Sequence, residues 1–254
     1  MARFDPGARP MKWLPSTRAS ADEAYRALKQ VHLFCNWPDD LLRQAADASK
    51  MLEADAGDEF VHVGQVLEGL YVIASGAVAI GVHNSDGRRY LRRYAARGQV
   101  YGMLSMLDGK GCPQFYMSRL ATKIIVVPKF IILSALEQHP RLWWALVQQW
   151  AVYHRNHLDA IHRIAFEPLR ARLLRALLEY ATQFGAKEAP KQGAELQLTQ
   201  DELAALLGVT RQSVSRELKR LEREGHIQIV YGGIVLRSGS ELTMLVDAAD
   251  NTRT

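Results

Sequence analysis

The spacing of apolar positions changes twice along the chain. Between Asp22 and Lys50, Tyr25, Leu28, Leu41, Leu42 and Ala45 recur at helical intervals and predict one or two short helices. From Met51 to Pro128 the runs shorten to LYVIA, AVAIGV, RYLRRYA, FYMSRLA and KIIVV, parted by Gly64, Gly69, Gly76, Gly87, Gly98 and Gly109 to Gly111. Short strands with such turns predict a small antiparallel barrel or jelly roll. Near Lys129 the period lengthens again, and a long helical region, broken before Pro140, runs to about Ile164.

Within that region Trp143, Val147, Trp150, His154, His157, Ile161 and Ile164 follow one another at alternating four- and three-residue steps, a heptad seam. Leu142, Leu146 and Tyr153 form a second apolar flank. The expected arrangement packs this flank on the chain's own barrel and offers the seam to a second copy, giving a homodimer; the competing arrangement is a core helix with no partner. The AFEP stretch at Ala165 to Pro168 reads as a hinge, because proline suits the first turn of a new helix. The next helix, Leu169 to Phe184, buries Leu173, Ala176, Leu177 and Tyr180, ends at Gly185 and precedes a polar loop, GAKEAPKQGAE.

Beyond the loop, Thr199 and Glu202 have capping-box spacing before Leu203, Ala204 and Leu207. Gly208 permits a tight turn, Thr210 caps another helix, and Val214, Leu218 and Leu221 form its buried stripe. Together they predict a helix-turn-helix. At the start of its second helix stand Arg211, Gln212, Ser213, Ser215 and Arg216, where base edges are met; arginine reads guanine bidentately and glutamine suits adenine. Lys219, Arg220 and Arg223 extend the basic face towards phosphates, while Glu217, Glu222 and Glu224 dilute it. The segment IQIVYGGIVL, alternating about a Gly232–Gly233 turn, predicts a two-stranded wing. Double-stranded DNA is the expected partner.

Composition narrows the alternatives. The 254 residues suffice for two domains, and the net charge of +5 is compatible with an acidic partner. Cys35 and Cys112 stand far apart, which excludes a disulfide framework, an iron–sulfur cluster and a cysteine-ligated zinc; no metal site is expected. No apolar run is long enough to span a bilayer and the N-terminal twenty residues lack the core of a secretion signal, so the expectation is a cytoplasmic protein with no membrane partner. An enzyme of cupin type would need clustered histidines, whereas His62 and His83 stand alone; no catalytic residues are assigned.

The phrases TRQSVSRELKRLEREGHI and GLYVIASGAVAI, in the order barrel, long helix, hinge, winged helix-turn-helix, make residues 25 to 245 resemble the cyclic AMP receptor protein and fumarate–nitrate regulator (Crp/Fnr) family of bacterial transcription factors. The resemblance implies an α+β chain: a tail at 1–21, a cyclic-nucleotide-binding-like sensor with flanking helices at 22–138, a dimerisation helix at 139–165, the DNA-binding domain at 166–246 and a tail at 247–254. It implies a near-palindromic site, RNA polymerase as a partner, and base-reading roles for Arg211 and Arg216. Gln212 stands where many members have glutamate.

The same resemblance places an effector pocket around Arg93, Gly102, Met103, Leu104, Gln114, Phe115 and His157. Met103 occupies the place of the glutamate that holds a ribose, and Pro113 and Gln114 the places of the arginine and hydroxyl that hold a cyclic phosphate. A phosphate anion is costly to desolvate without compensating charge, so cyclic AMP in the usual pose is disfavoured. A different small-molecule effector, an altered nucleotide or dinucleotide pose, and a silent sensor remain as alternatives. Arg93 is either a displaced cation for another anion or an exposed arginine of the RRYLRR run. His154 and His157 offer a pH-sensitive element or a haem or metal ligand, or only set the register of the seam. Cys112 is a redox sensor or an ordinary thiol.

Overall fold

The computed structural model describes residues 16–18, 20–84, 89–184, 194–237 and 242–246. The chain divides into two units, residues 1–82 with 93–155 and residues 83–92 with 156–254. The Gly185 helix stop, most of the polar loop after it and the 247–254 tail lie outside the described residues.

The first unit runs β1 (Ser16–Arg18), α1 (Ala21–Lys29), α2 (Asp39–Ala48), β2 (Lys50–Ala54), β3 (Glu59–Val61), β4 (Gly69–Ser75), β5 (Ala77–His83), β6 (Arg89–Ala96), β7 (Val100–Tyr101), α3 (Met103–Asp108), β8 (Phe115–Ser118), β9 (Thr122–Pro128), α4 (Lys129–Gln138) and α5 (Leu142–Phe166); the end of β5, the first half of β6 and the C-terminal half of α5 group with the second unit. One antiparallel sheet has the order β1-β2-β9-β4-β7 and the other β3-β8-β5-β6, an open jelly roll and not a closed barrel. Part of the expected N-terminal tail is a strand: Ser16 to Arg18 pair with Leu52 to Lys50.

The unbroken apolar runs of β4 and β9 follow from burial on both faces. Leu70, Val72, Ile125 and Val127 join a core with Phe34, Leu41, Leu42, Ile132 and Leu136 of the helical layer. Their neighbours Tyr71, Ile73, Ile124 and Val126 turn into the sandwich with Val61, Val78, Ile80 and Ala95. Each such side chain contributes roughly 1.5–3 kcal/mol when fully buried. Leu142, Ala145 and Leu146 seat the start of α5 in the helical-layer core, and the Tyr153 hydroxyl donates to the Val100 carbonyl oxygen at 2.7 Å. Gly102, with φ 91°, makes the left-handed entry to α3; a Cβ there would lie 2.5 Å from the Gly69 carbonyl oxygen.

The second unit contains α6 (Leu169–Phe184), β10 (Ala194–Leu196), α7 (Gln200–Leu207), α8 (Arg211–Arg223), β11 (Ile227–Val230) and β12 (Gly233–Leu236). Leu173, Leu177, Leu203, Val214, Leu218, Leu221, Ile227 and Leu236 are buried completely. The hinge is clasped by Glu167 with Arg175 at 3.4 Å and Arg163 with Glu179 at 4.0 Å. The wing has three strands in the order β10-β12-β11, one more than expected. Its turn is Tyr231–Gly232, because Gly233 already pairs with Val230; Gly232 takes a left-handed φ of 76°, which favours glycine at the second turn position.

Candidate nucleic-acid interface

Local chemistry fixes both helices of the reading head. The Thr199 hydroxyl accepts from the Glu202 N–H at 3.2 Å, and the Glu202 carboxylate accepts from the Thr199 N–H at 2.8 Å, which closes the capping box of α7. Gly208 ends that helix in the left-handed region at φ 66°. The Thr210 hydroxyl then accepts from the Ser213 N–H at 3.2 Å and opens α8.

With Val214, Leu218 and Leu221 buried, the other side of α8 must face solvent. At about 100° per residue, Gln212, Arg216, Lys219 and Arg223 form one exposed ridge, flanked by Ser215 and Glu222. The same six residues line a shallow groove on the surface. Arg216 and Lys219 make no ion pair with any described residue, so their charges face outward uncompensated. Ridge, spacing and charge suit insertion into a major groove.

Other members of the expected set are placed differently. Arg211 sits beside the ridge with its guanidinium 3.5 Å from the Asp201 carboxylate. Ser213 is half-buried, and its hydroxyl lies 3.0 Å from that of Thr210, within the helix cap. Arg220 is tied to Glu224 at 3.2 Å, and Glu224 also accepts from Arg170 of α6. Hydrogen bonds from Arg170, and then Arg220, hold the Glu224 carboxyl below the ordinary glutamate range. Glu222 accepts from the Ile229 N–H at 2.7 Å and so fastens β11 to α8. Two of the three acidic residues that dilute the basic face are therefore structural ties. Asp201, Arg170 and Ile229 carry no pattern that would have pointed to these roles.

In the sensor, tyrosines fill the sandwich interior. Tyr101 and Tyr116 lie with ring centroids 5.2 Å apart, Phe60 packs 6.2 Å from Tyr116, and the Cys112 thiol meets the Tyr116 hydroxyl at 3.5 Å. Burial pushes the Tyr71 phenol up to about 12 and the Tyr116 phenol well above its usual value, so both are neutral. Cys112 is buried, whereas Cys35 is exposed.

Arg93 is not the exposed arginine of a basic run. It lies on the strand face of Leu91 and Ala95, both fully buried, and is itself half-buried with its Nε enclosed. Its guanidinium lies over the Tyr101 ring at 5.4 Å and the Tyr153 ring at 5.2 Å.

Several residues grouped in the pocket do not share this interior. Met103 packs in the helical-layer core with Val100 and Met106, because the left-handed Gly102 turns the first residue of α3 that way. Leu104 is 52% exposed, Pro113 is exposed and Gln114 is half-buried. Phe115 is fully buried but, by strand alternation, on the face opposite Tyr116. The Ser105 hydroxyl, on α3, is fully engaged: it donates to the Lys110 carbonyl oxygen at 2.6 Å and accepts from the Leu67 N–H at 3.1 Å.

Along α5, Trp143, Val147, Trp150, Ile161 and Ile164 are 38–64% exposed, an apolar stripe interrupted by His154 and His157. His154 stacks on Trp150 at 5.5 Å, and His157 is half-buried. Among the described residues no three His, Cys, Asp or Glu side chains are placed to share a metal ion, and no helix is long and apolar enough to cross a membrane.

Comparison with known proteins agrees with this division. Residues 171–245 match the family model of the Crp-like helix-turn-helix domain, and residues 51–139 that of the cyclic nucleotide-binding domain. Similar proteins include the cAMP-activated global transcriptional regulator Vfr of Pseudomonas aeruginosa, 27% identical over 180 residues that cover 68% of this chain and 83% of Vfr. Among solved structures, the c-di-GMP responsive global regulator CLP of Xanthomonas campestris aligns with a TM-score of 0.69 at 20% identity, covering 79% of this chain and all of that one. A Crp/Fnr-family regulator of Thermus thermophilus aligns with a TM-score of 0.60 at 25% identity, covering 78% and 98%. With a sensor domain and a DNA-reading domain matched on either side of a long helix, the chain belongs to the Crp/Fnr family of DNA-binding transcriptional regulators.

Proposed function

We propose that the protein is a homodimeric regulator that reads a near-palindromic DNA site, one α8 in the major groove of each half-site, with half-sites about one helical turn apart. The observation that carries this reading is the exposed ridge of Gln212, Arg216, Lys219 and Arg223 on a helix capped at Thr210. The apolar face of α5 supports pairing with a second copy. RNA polymerase is the protein partner that family membership brings, the cytoplasm is the compartment where such a regulator meets DNA, and no catalytic step is assigned.

The sensor, on this reading, does not hold cyclic AMP in the family's usual pose. Met103 is in another core, Pro113 has no charge to offer, and the Ser105 hydroxyl is already engaged at both lone pair and proton. A cyclic phosphate brought there would lose water without gaining a compensating set of donors.

Operator selection from a random duplex library, followed by binding titrations across a salt series with and without cyclic AMP and cyclic di-GMP, tests the proposal. A selected inverted repeat, bound with a steep salt slope and no gain from cyclic AMP, is the expected result. Sequence-indifferent binding would remove the first half of the reading, and a cyclic AMP-dependent gain the second.

A further inference from the structure

Arg93 sets an electrostatic problem that the described residues do not solve. Its guanidinium carries a permanent charge and five N–H donors. Its faces rest on the Tyr101 and Tyr153 rings. The enclosed Nε has no acceptor, and no carboxylate is paired with the guanidinium among the described residues. Aromatic faces attract a cation, but they satisfy none of its in-plane donors. A half-buried charge with an enclosed, unpartnered Nε is stabilised by an anion that lies in the guanidinium plane.

Resting on the sensor reading above, the geometry points to a small monocarboxylate with an apolar or aromatic body as the ligand of this site. The guanidinium edge takes the carboxylate, and Tyr101, Tyr116 and Tyr153 take the body. A carboxylate needs two donors for one negative charge, which one arginine supplies. A phosphate monoester carries more charge and needs a denser donor set, and the Ser105 hydroxyl is already engaged by the Lys110 carbonyl oxygen and the Leu67 N–H. Tyr71 and Tyr116, held neutral by burial, put no competing negative charge beside the guanidinium.

Full-length protein titrated with sodium phenylacetate and sodium octanoate, against phenylacetamide as the neutral match, tests this by calorimetry and thermal unfolding. Inorganic phosphate and cyclic AMP are run in parallel. At least one carboxylate should bind saturably and raise Tm by about 2 °C or more, with the amide at least about tenfold weaker. Arg93→Gln should abolish the response while keeping operator binding. No saturable carboxylate binding up to about 10 mM, equal binding of the amide, or an unchanged response in Arg93→Gln would each overturn the inference. Tighter binding of phosphate or cyclic AMP would overturn the carboxylate assignment. Should Arg93→Gln not fold, the wild-type preference for acid over amide decides alone. An Arg216→Ala variant that loses DNA recognition but keeps the carboxylate response would separate failure of the DNA reading from failure of this one.

Discussion

The Arg211 guanidinium lies 3.5 Å from the Asp201 carboxylate, so an arginine at the tip of α8 is engaged by the first turn of α7 before any DNA arrives. Both side chains are largely exposed, and such a pair contributes at most about 1 kcal/mol to folding. Its larger effect is expected on binding, because DNA must compete with Asp201 for Arg211. Asp201→Asn should leave thermal stability nearly unchanged and strengthen binding to random duplex several-fold, with a smaller gain on the operator. Fluorescence anisotropy on both duplexes reads the ratio; equal gains on the two would show that Asp201 acts only as a distant charge.

Arg216 and Lys219 share the ridge but should fail differently. Arg216→Ala is expected to cost about 1–3 kcal/mol on the preferred base and flatten discrimination there. Lys219→Ala should weaken all duplexes alike and reduce the salt slope by about one. An Arg216→Ala protein with intact sequence preference would mean that α8 enters the groove in another orientation.

Trp150 is half exposed on the apolar face of α5 and stacks on His154, so its replacement does not excavate a core. Trp150→Glu should keep the circular dichroism spectrum and raise the dimer dissociation constant by at least about tenfold, since one buried aromatic contributes more than 1.4 kcal/mol. Sedimentation equilibrium checks the mass. A dimer as tight as the wild type would move the partner surface elsewhere.

Glu224 makes the DNA-reading unit sensitive to acid. Its folded pKa is depressed by Arg170 and then Arg220, so the unfolded chain takes up the proton more readily. The resulting stabilisation is complete above the ordinary glutamate value of about 4.3 and is lost as pH falls through the lower folded value. Glu224→Gln should therefore lower the urea midpoint at neutral pH, and the difference from the wild type should shrink as pH falls through the folded value. A difference that stays constant through the acid range would assign the loss to geometry instead of charge.

The features legible in the sequence are those decided within one turn of chain. Thr199 with Glu202, Gly208 and Thr210 with Val214 each carry their own reason, and the structure places all of them as their chemistry requires. Contacts between distant segments left no such mark. Nothing near Ser16 announces pairing with Leu52, and the proline- and arginine-rich surroundings argue for a loose tail. Arg93, Tyr101 and Tyr153 are brought together from two strands and a helix, and the basic run by itself does not reveal that one of its members turns inward. Met103, which the resemblance groups with the pocket, packs in the helical-layer core, and a six-residue helix has too little periodicity to show which way its first residue faces.

Glu222 grips the backbone of Ile229, and that bond makes the recognition helix and the wing a single calliper. Its two jaws are the ridge around Arg216 and the exposed Tyr231 at the wing turn. Groove width in the bound duplex is then something the DNA must adopt, and sequences that narrow or widen easily would be favoured at base pairs no side chain reaches.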